Sequence, residues 1–285
     1  MYKKLGLIGK NIQLSQAPDI HKRLGNLFKI PVSYQIFDLK ENDENYFSDQ
    51  LLRLKDRGFT GVNITFPFKE EVLKYADIIN QSSLNIKSSN TLIFKTDIIA
   101  ENTDYTGFLR TYKFHFGKIK PKKTLVLGGG GVGRAITFAL GSLGVEHIYL
   151  YEKDKVKGKV LRQDLGLFKI NCTLIDCNQL KKIISQVQGI VNCTPLGHHD
   201  FPGCPLGEFM PSNNHWIFDA VYTPAKTTLL KKGEKVRAKI ISGIDLFIFQ
   251  ALDAFLLFTA ERIDKNEISK HIQFLREYYF KVLFK

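Results

Sequence analysis

Short apolar runs and amphipathic stretches alternate along this chain of 285 residues in two successive blocks. In the first block, apolar runs at 5–8, 32–37, 61–65, 91–94 and 98–100 predict strands. Between them, apolar residues spaced for one buried face predict helices over 19–28, 43–55 and 69–76. Pro18 and Pro67 mark helix starts or loop ends. The second block opens at Leu125. It predicts strands at 125–127, 147–151, 172–175, 189–192, 216–219 and 239–241, with helices over 131–143 and 157–165. Strand and helix in this alternation build a parallel sheet. From Leu246 the pattern is helical to near the C-terminus.

The second block carries the strongest local motif. Its first strand runs straight into Gly128-Gly129-Gly130-Gly131-Val132-Gly133-Arg134, and a helix-forming stretch follows. Gly128, Gly130 and Gly133 fit G-x-G-x-x-G in the one context where that pattern has mechanical meaning. The first glycine permits the tight turn, the second lets backbone approach a pyrophosphate, and the third lets helix pack on strand. The helix start, with Gly131 and Arg134, offers unpaired N–H groups to phosphate. Glu152 ends the next strand, near where an acidic residue binds a ribose diol. The other reading is a glycine-rich turn with nothing bound. The fold class is expected to be α/β, with an N-terminal α/β domain, a Rossmann domain and C-terminal helices that return to the first domain. The boundaries are 1–104 completed by 244–285, and 105–243.

Composition narrows the class further. The net charge of +13 raises the question of nucleic acid, but the lysines are spread along the chain instead of forming a block interleaved with aromatics. A lysine-rich surface that draws anionic substrates and cofactors is the expectation, with no nucleic-acid partner. Cys172, Cys177, Cys193 and Cys204 form no C-x-x-C pair, and H-E-x-x-H does not occur. No metal site or disulfide framework is expected, and the cysteines read as small residues in a reducing cytoplasm. The N-terminal apolar run is too short for a signal peptide, and the apolar stretch 246–258 is broken by Gln250 and Asp253, so no membrane partner is expected.

Further segments place polar residues where core packing does not explain them. These are Leu14-Ser15-Gln16-Ala17-Pro18, Val62-Asn63-Ile64-Thr65-Phe66-Pro67-Phe68-Lys69, Ser89-Asn90-Thr91-Leu92, Asn102-Thr103-Asp104-Tyr105-Thr106-Gly107-Phe108, Asn192-Cys193-Thr194-Pro195-Leu196-Gly197 and Asp219-Ala220-Val221-Tyr222-Thr223-Pro224. With the glycine loop, and in this order, they resemble the shikimate dehydrogenase family from about Gly9 to Gln250. The resemblance implies reversible, nicotinamide-dependent reduction of 3-dehydroshikimate to shikimate, a cyclic polyhydroxy carboxylate. It implies that 1–104 with 244–285 binds substrate and that 105–243 binds the dinucleotide. Lys69 and Asp104 match the family's catalytic pair, and such a pair can orient a hydroxyl and relay its proton. A lysine at a helix start meets the positive dipole end, which an ordinary surface role would avoid. Ser15, Thr65, Asn90 and Gln250 match substrate contacts. Tyr222 and Gly243 match residues near the nicotinamide, Tyr222 counting also as a substrate contact, and Thr194 joins the cofactor set.

The chain departs from the family at four places. Ser-x-Ser for the substrate carboxylate is here Ser15-Gln16-Ala17, one hydroxyl short, and Tyr34 is a candidate to replace it. NADP-specific members carry Asn-Arg-Thr where this chain has Glu152-Lys153-Asp154. An arginine fork clamps a 2′-phosphate, whereas two acids repel it, and Lys153 is only a point charge. The cofactor is therefore expected to be NAD(P), with Glu152 arguing for NAD against the family default of NADP. His198 and Leu246 stand where the family usually has methionine. His198 with His199 reads as a surface pair. The alternatives are an NAD-dependent quinate or quinate/shikimate dehydrogenase and a non-catalytic dinucleotide-binding regulator. The protein is expected to be a monomer or homodimer in the cytoplasm.

Overall fold

Leu5 and Ile8 are fully buried in β1 (Lys3–Gly9) because both faces of that strand are covered. The computed structural model describes residues 2–39, 44–260 and 265–284. The chain divides into two compact units, Met1–Gly107 with Ile248–Ile272 and Phe108–Phe247 with Gln273–Lys285.

The first unit runs β1, α1 (Ala17–Leu27), β2 (Val32–Asp38), α2 (Glu44–Asp56), β3 (Phe59–Ile64), a 3-10 turn at Glu71–Tyr75, β4 (Ile78–Ile79), α3 (Gln81–Ile86), β5 (Thr91–Phe94), β6 (Ile98–Glu101) and the start of α4 (Thr103–Phe116). Its sheet has the order β2-β1-β3-β5-β6-β4. β1 lies parallel to β2 and β3, whereas β5 is antiparallel to both β3 and β6. One face packs Ile8, Val62 and Ile64 on Phe47, Leu51 and Leu54 of α2. On the other, Leu5, Leu7 and Tyr34 meet Ala254 and Phe258. Gly61 makes that second contact possible, since a Cβ there would lie 2.4 Å from the Phe258 ring.

The helix expected over 69–76 is only the 3-10 turn Glu71–Tyr75. The reason is tertiary. Asp77 N–H must reach Ile98 O to start β4, so Ala76 is already extended. The short elements β4 and α3 gave no periodic signal in the sequence. Lys87, in the left-handed conformation at φ 56°, ends α3.

The second unit holds β7 (Lys123–Leu127), α5 (Gly131–Ser142), β8 (His147–Tyr151), α6 (Lys155–Leu167), β9 (Cys172–Ile175), α7 (Leu180–Ile184), β10 (Gly189–Asn192), β11 (Trp216–Asp219), α8 (Thr228–Lys235) and β12 (Lys239–Ser242). The sheet order β12-β11-β10-β7-β8-β9 is parallel throughout. Successive strands add outward from β7 in one direction through β8 and β9 and then in the other through β10, β11 and β12, and such sheets open a crevice at their carboxyl ends where the order switches. Helices α9 (Gly243–Thr259) and α10 (Lys265–Val282) complete the chain. α4 and α9 each begin in one unit and end in the other. Among the described residues, no helix is long and apolar enough to cross a membrane, and no group of His, Cys, Asp and Glu could hold a metal ion.

Candidate active site

Lys69 Nζ donates to Asp104 Oδ2 at 2.6 Å, and both residues belong to the first unit. The turn that presents Lys69 is anchored from below. Phe68 is buried and stacks on Phe47 with ring centroids 4.7 Å apart, its N–H bonds Thr65 O, and Lys69 O accepts from Ser89 N–H at 2.7 Å. Asp104 sits in the first turn of α4, where the helix dipole favours a carboxylate. The lysine and aspartate side chains are 14% and 9% exposed, enough to reach a ligand and too little for water to screen the pair fully. Lys69 keeps further N–H donors for a third group.

Asn90, buried at the start of β5, lies against the same helix start. Its Oδ1 accepts from Thr103 N–H at 2.7 Å, from Thr103 Oγ1 at 3.1 Å and from Thr91 Oγ1 at 3.0 Å. Asn102 caps the same turn, accepting from Tyr105 N–H at 3.1 Å. Gln250 comes from α9. A Cβ on Gly107 would lie 2.8 Å from Gln250 N, so the two helices touch one turn beyond Asp104. Thr106 donates to Asp253 at 2.5 Å and ties that crossing. Half-buried Thr65 follows β3 and packs its methyl on Gly9. Ser15 Oγ accepts from Ala17 N–H at 3.2 Å at the start of α1, leaving its proton to donate. Tyr34, the candidate to replace the missing hydroxyl, instead donates to Asn63 Oδ1 at 2.9 Å and is buried. That commitment corrects the expectation that Tyr34 serves the ligand directly.

The glycine loop fits a dinucleotide phosphate. Gly128 adopts φ 94°, and a Cβ on Gly133 would lie 2.1 Å from Gly128 O, so neither tolerates a side chain. A Cβ on Gly130 would meet nothing within 4 Å, and α5 starts there, at Gly131, with no side-chain cap on its first amides. Uncapped amides beneath open space are what an anion requires. Thr194 follows β10, and its Cγ2 would lie 2.9 Å from a Cβ on Gly128. Glu152 accepts from Gly129 N–H at 2.5 Å and Asp154 N–H at 2.9 Å, so its carboxylate is fixed against the loop. Asp154 caps α6. Exposed Lys153 joins Glu152, Tyr151, Lys155, Asp176, Cys177 and Asn178 around a cavity of about 420 Å³. Arg134 follows in the first turn of α5. It is buried and pairs with Asp164 of α6 at 2.7 Å, a contact between helices that the sequence pattern does not encode.

Two buried groups lie in the polar segments but carry no role that the sequence assigns. Asp219, at the end of β11, accepts from Asn192 Nδ2 at 2.8 Å, Thr227 Oγ1 at 2.6 Å and Val221 N–H at 3.1 Å. Burial nevertheless pushes its carboxyl up to about 6. It fastens the loop that carries Tyr222. That phenol stacks on Phe247 with centroids 4.7 Å apart, and burial pushes it up to about 12. Gly243 has a packing reason, since a Cβ there would lie 2.6 Å from Ala220 O. The second group is Asn63, a lone amide inside an apolar strand. His198 lies at the surface beside His199 and Asp200, and Leu246 is buried.

The family model of the shikimate dehydrogenase substrate binding domain matches residues 7–92. A shikimate dehydrogenase (NADP(+)) of Clostridium botulinum is 32% identical over 251 residues, covering 87% of this chain and 93% of that protein. A quinate/shikimate dehydrogenase (NAD(+)) of Corynebacterium efficiens is 31% identical over 261 residues, covering 90% and 92%. The structure of quinate dehydrogenase from Corynebacterium glutamicum in complex with NAD matches with a TM-score of 0.85 at 28% identity, over 99% of this chain and 100% of that one. Likeness of this extent makes the chain a member of the shikimate dehydrogenase family.

Proposed function

We propose that the protein is an NAD(P)-dependent dehydrogenase that reversibly reduces 3-dehydroshikimate to shikimate. The observation that carries this reading is the Lys69–Asp104 pair, an ammonium and a carboxylate 2.6 Å apart in a partly shielded setting. Bound nicotinamide supplies the hydride in reduction and takes it up in oxidation. Lys69 donates a proton to the carbonyl oxygen as reduction proceeds and accepts it back in the reverse direction. Asp104 keeps the ammonium oriented and can pass the proton on. Ser15, Thr65, Asn90 and Gln250 hold the ring hydroxyls and carboxylate, because a triol needs several fixed polar partners. In this reading the first unit binds the polyhydroxy carboxylate and the second binds the dinucleotide through Gly128, Gly130, Gly131, Gly133 and Thr194. Tyr222 and Gly243 serve the nicotinamide end. The reaction belongs to the cytoplasm, in a monomer or homodimer that engages neither nucleic acid nor membrane.

Glu152 sets the cofactor preference. Its carboxylate is held by two amides and retains lone pairs for a ribose diol, while repelling a 2′-phosphate. NAD is therefore preferred. A second reading, oxidation of quinate with NAD, is favoured by Ala17, which leaves the start of α1 one hydroxyl short. The test offers shikimate and quinate, each with NAD and with NADP, and follows formation of reduced nicotinamide. Shikimate with NAD is expected to be fastest. Faster turnover of quinate would establish the second reading, and no turnover in any combination would remove both.

A further inference from the structure

A buried hydrogen-bond network runs beneath the candidate substrate site. Tyr34 donates to Asn63 Oδ1 at 2.9 Å, and His21 also hydrogen-bonds Asn63 while stacking on Tyr34 with centroids 4.7 Å apart. With its oxygen so occupied, Asn63 points Nδ2 at Thr91 Oγ1, 3.2 Å away, and at Asn90 O, 3.4 Å away. Thr91 Oγ1 then accepts from Asn63 and has its own proton for Asn90 Oδ1 at 3.0 Å, with Thr103 Oγ1 at 3.1 Å also in reach. Asn90 Oδ1 also takes the Thr103 N–H at 2.7 Å, at the first residue of α4 and next to Asp104. Oδ1 is thereby saturated. Asn90 Nδ2 has no partner among the described residues and is not one of the buried atoms sealed from ligand. His21, Tyr34, Asn63, Asn90, Thr91 and Thr103 are all buried, so an amide flipped anywhere along the chain would set two donors or two acceptors face to face.

We propose that Tyr34, Asn63 and Thr91 are positioning residues that lock Asn90 with its nitrogen as the ligand-facing donor, so that this part of the site accepts only a group with a lone pair to offer. The inference rests on the dehydrogenase reading for its substrate. No metal, redox or covalent step is involved.

The test uses full-length protein and steady-state kinetics with shikimate. Tyr34→Phe removes the proton that starts the chain. It is expected to raise KM for shikimate about fivefold or more while kcat changes less and the KM of the dinucleotide stays constant. In an Asn90→Ala background, Tyr34→Phe should raise KM no further, because its effect passes through Asn90; a merely structural role would add instead. Thr91→Val serves the same purpose if Tyr34→Phe does not fold. A readout independent of turnover is hydrogen exchange at Thr103 N–H, expected to quicken about tenfold in Tyr34→Phe. An unchanged exchange rate, an unchanged KM or additive effects would overturn the proposal. Lys69→Ala separates the levels: if it too leaves turnover intact, the dehydrogenase mechanism fails, whereas its loss of turnover beside an inert Tyr34→Phe removes only the positioning chain.

Discussion

His21 shows how single residues in this protein answer to their burial. It lies among Tyr34, Asn63, Phe255 and Phe258, and burial drives its imidazole down to about 3, with the Asn63 hydrogen bond opposing only in part. A depressed folded-state value means that the unfolded chain binds the proton first. Stability is full above the ordinary value of 6.5 and is lost as pH falls from there toward 3. Acidifying from pH 7 to pH 5 should cost about 2 kcal/mol through this group. In denaturant titrations at the two pH values, His21→Phe should lose correspondingly less than the parent, and an equal loss in both would show that His21 is not held neutral. Glu152 acts on ligand choice instead. Glu152→Ala should shift the ratio of NAD to NADP specificity about tenfold toward NADP, read from kcat/KM with each dinucleotide. A ratio that does not move would mean the carboxylate serves only the glycine loop.

At the scale of elements, function depends on two helix starts. α4 begins with Asn90 and Asn102 capping its first amides and carries Asp104 in its first turn, so its cap and its chemistry occupy the same few residues. α5 begins with no side-chain cap, which leaves its amides for phosphate. Gly133 sets the approach of α5 to β7 through Gly128 O. Gly133→Ala should weaken dinucleotide binding about tenfold or more in a fluorescence titration, since the added methyl must displace backbone. Unimpaired binding would rule out this loop as the cradle. These starts were legible in the sequence for different reasons. The glycines were legible because only glycine satisfies the backbone there. The 69–76 helix was misread because the demand that ended it, the return of Asp77 to Ile98, comes from the far side of a sheet. The pairing of Arg134 was hidden for a similar reason, its partner Asp164 being supplied by another helix.

Over the whole molecule, the two sheets differ in how plainly the sequence announced them. The parallel sheet of the second unit follows from regular alternation. The mixed sheet of the first unit does not, because β5 and β6 form a hairpin whose short strands look like any other apolar runs. The polar motifs were readable as site residues because they interrupt strand ends where packing alone asks for apolar side chains. The pairing of Asn63 with Tyr34 and Thr91 escaped that logic, since it becomes visible only when β2, β3 and β5 are placed in one sheet. The proposed reaction stands on the ammonium–carboxylate pair of Lys69 and Asp104. The most direct measurement of it compares turnover and dinucleotide affinity in the parent protein and in Lys69→Ala. Turnover is expected to fall about a hundredfold to ten-thousandfold with dinucleotide binding unchanged, whereas turnover close to that of the parent would contradict the proposed role of Lys69.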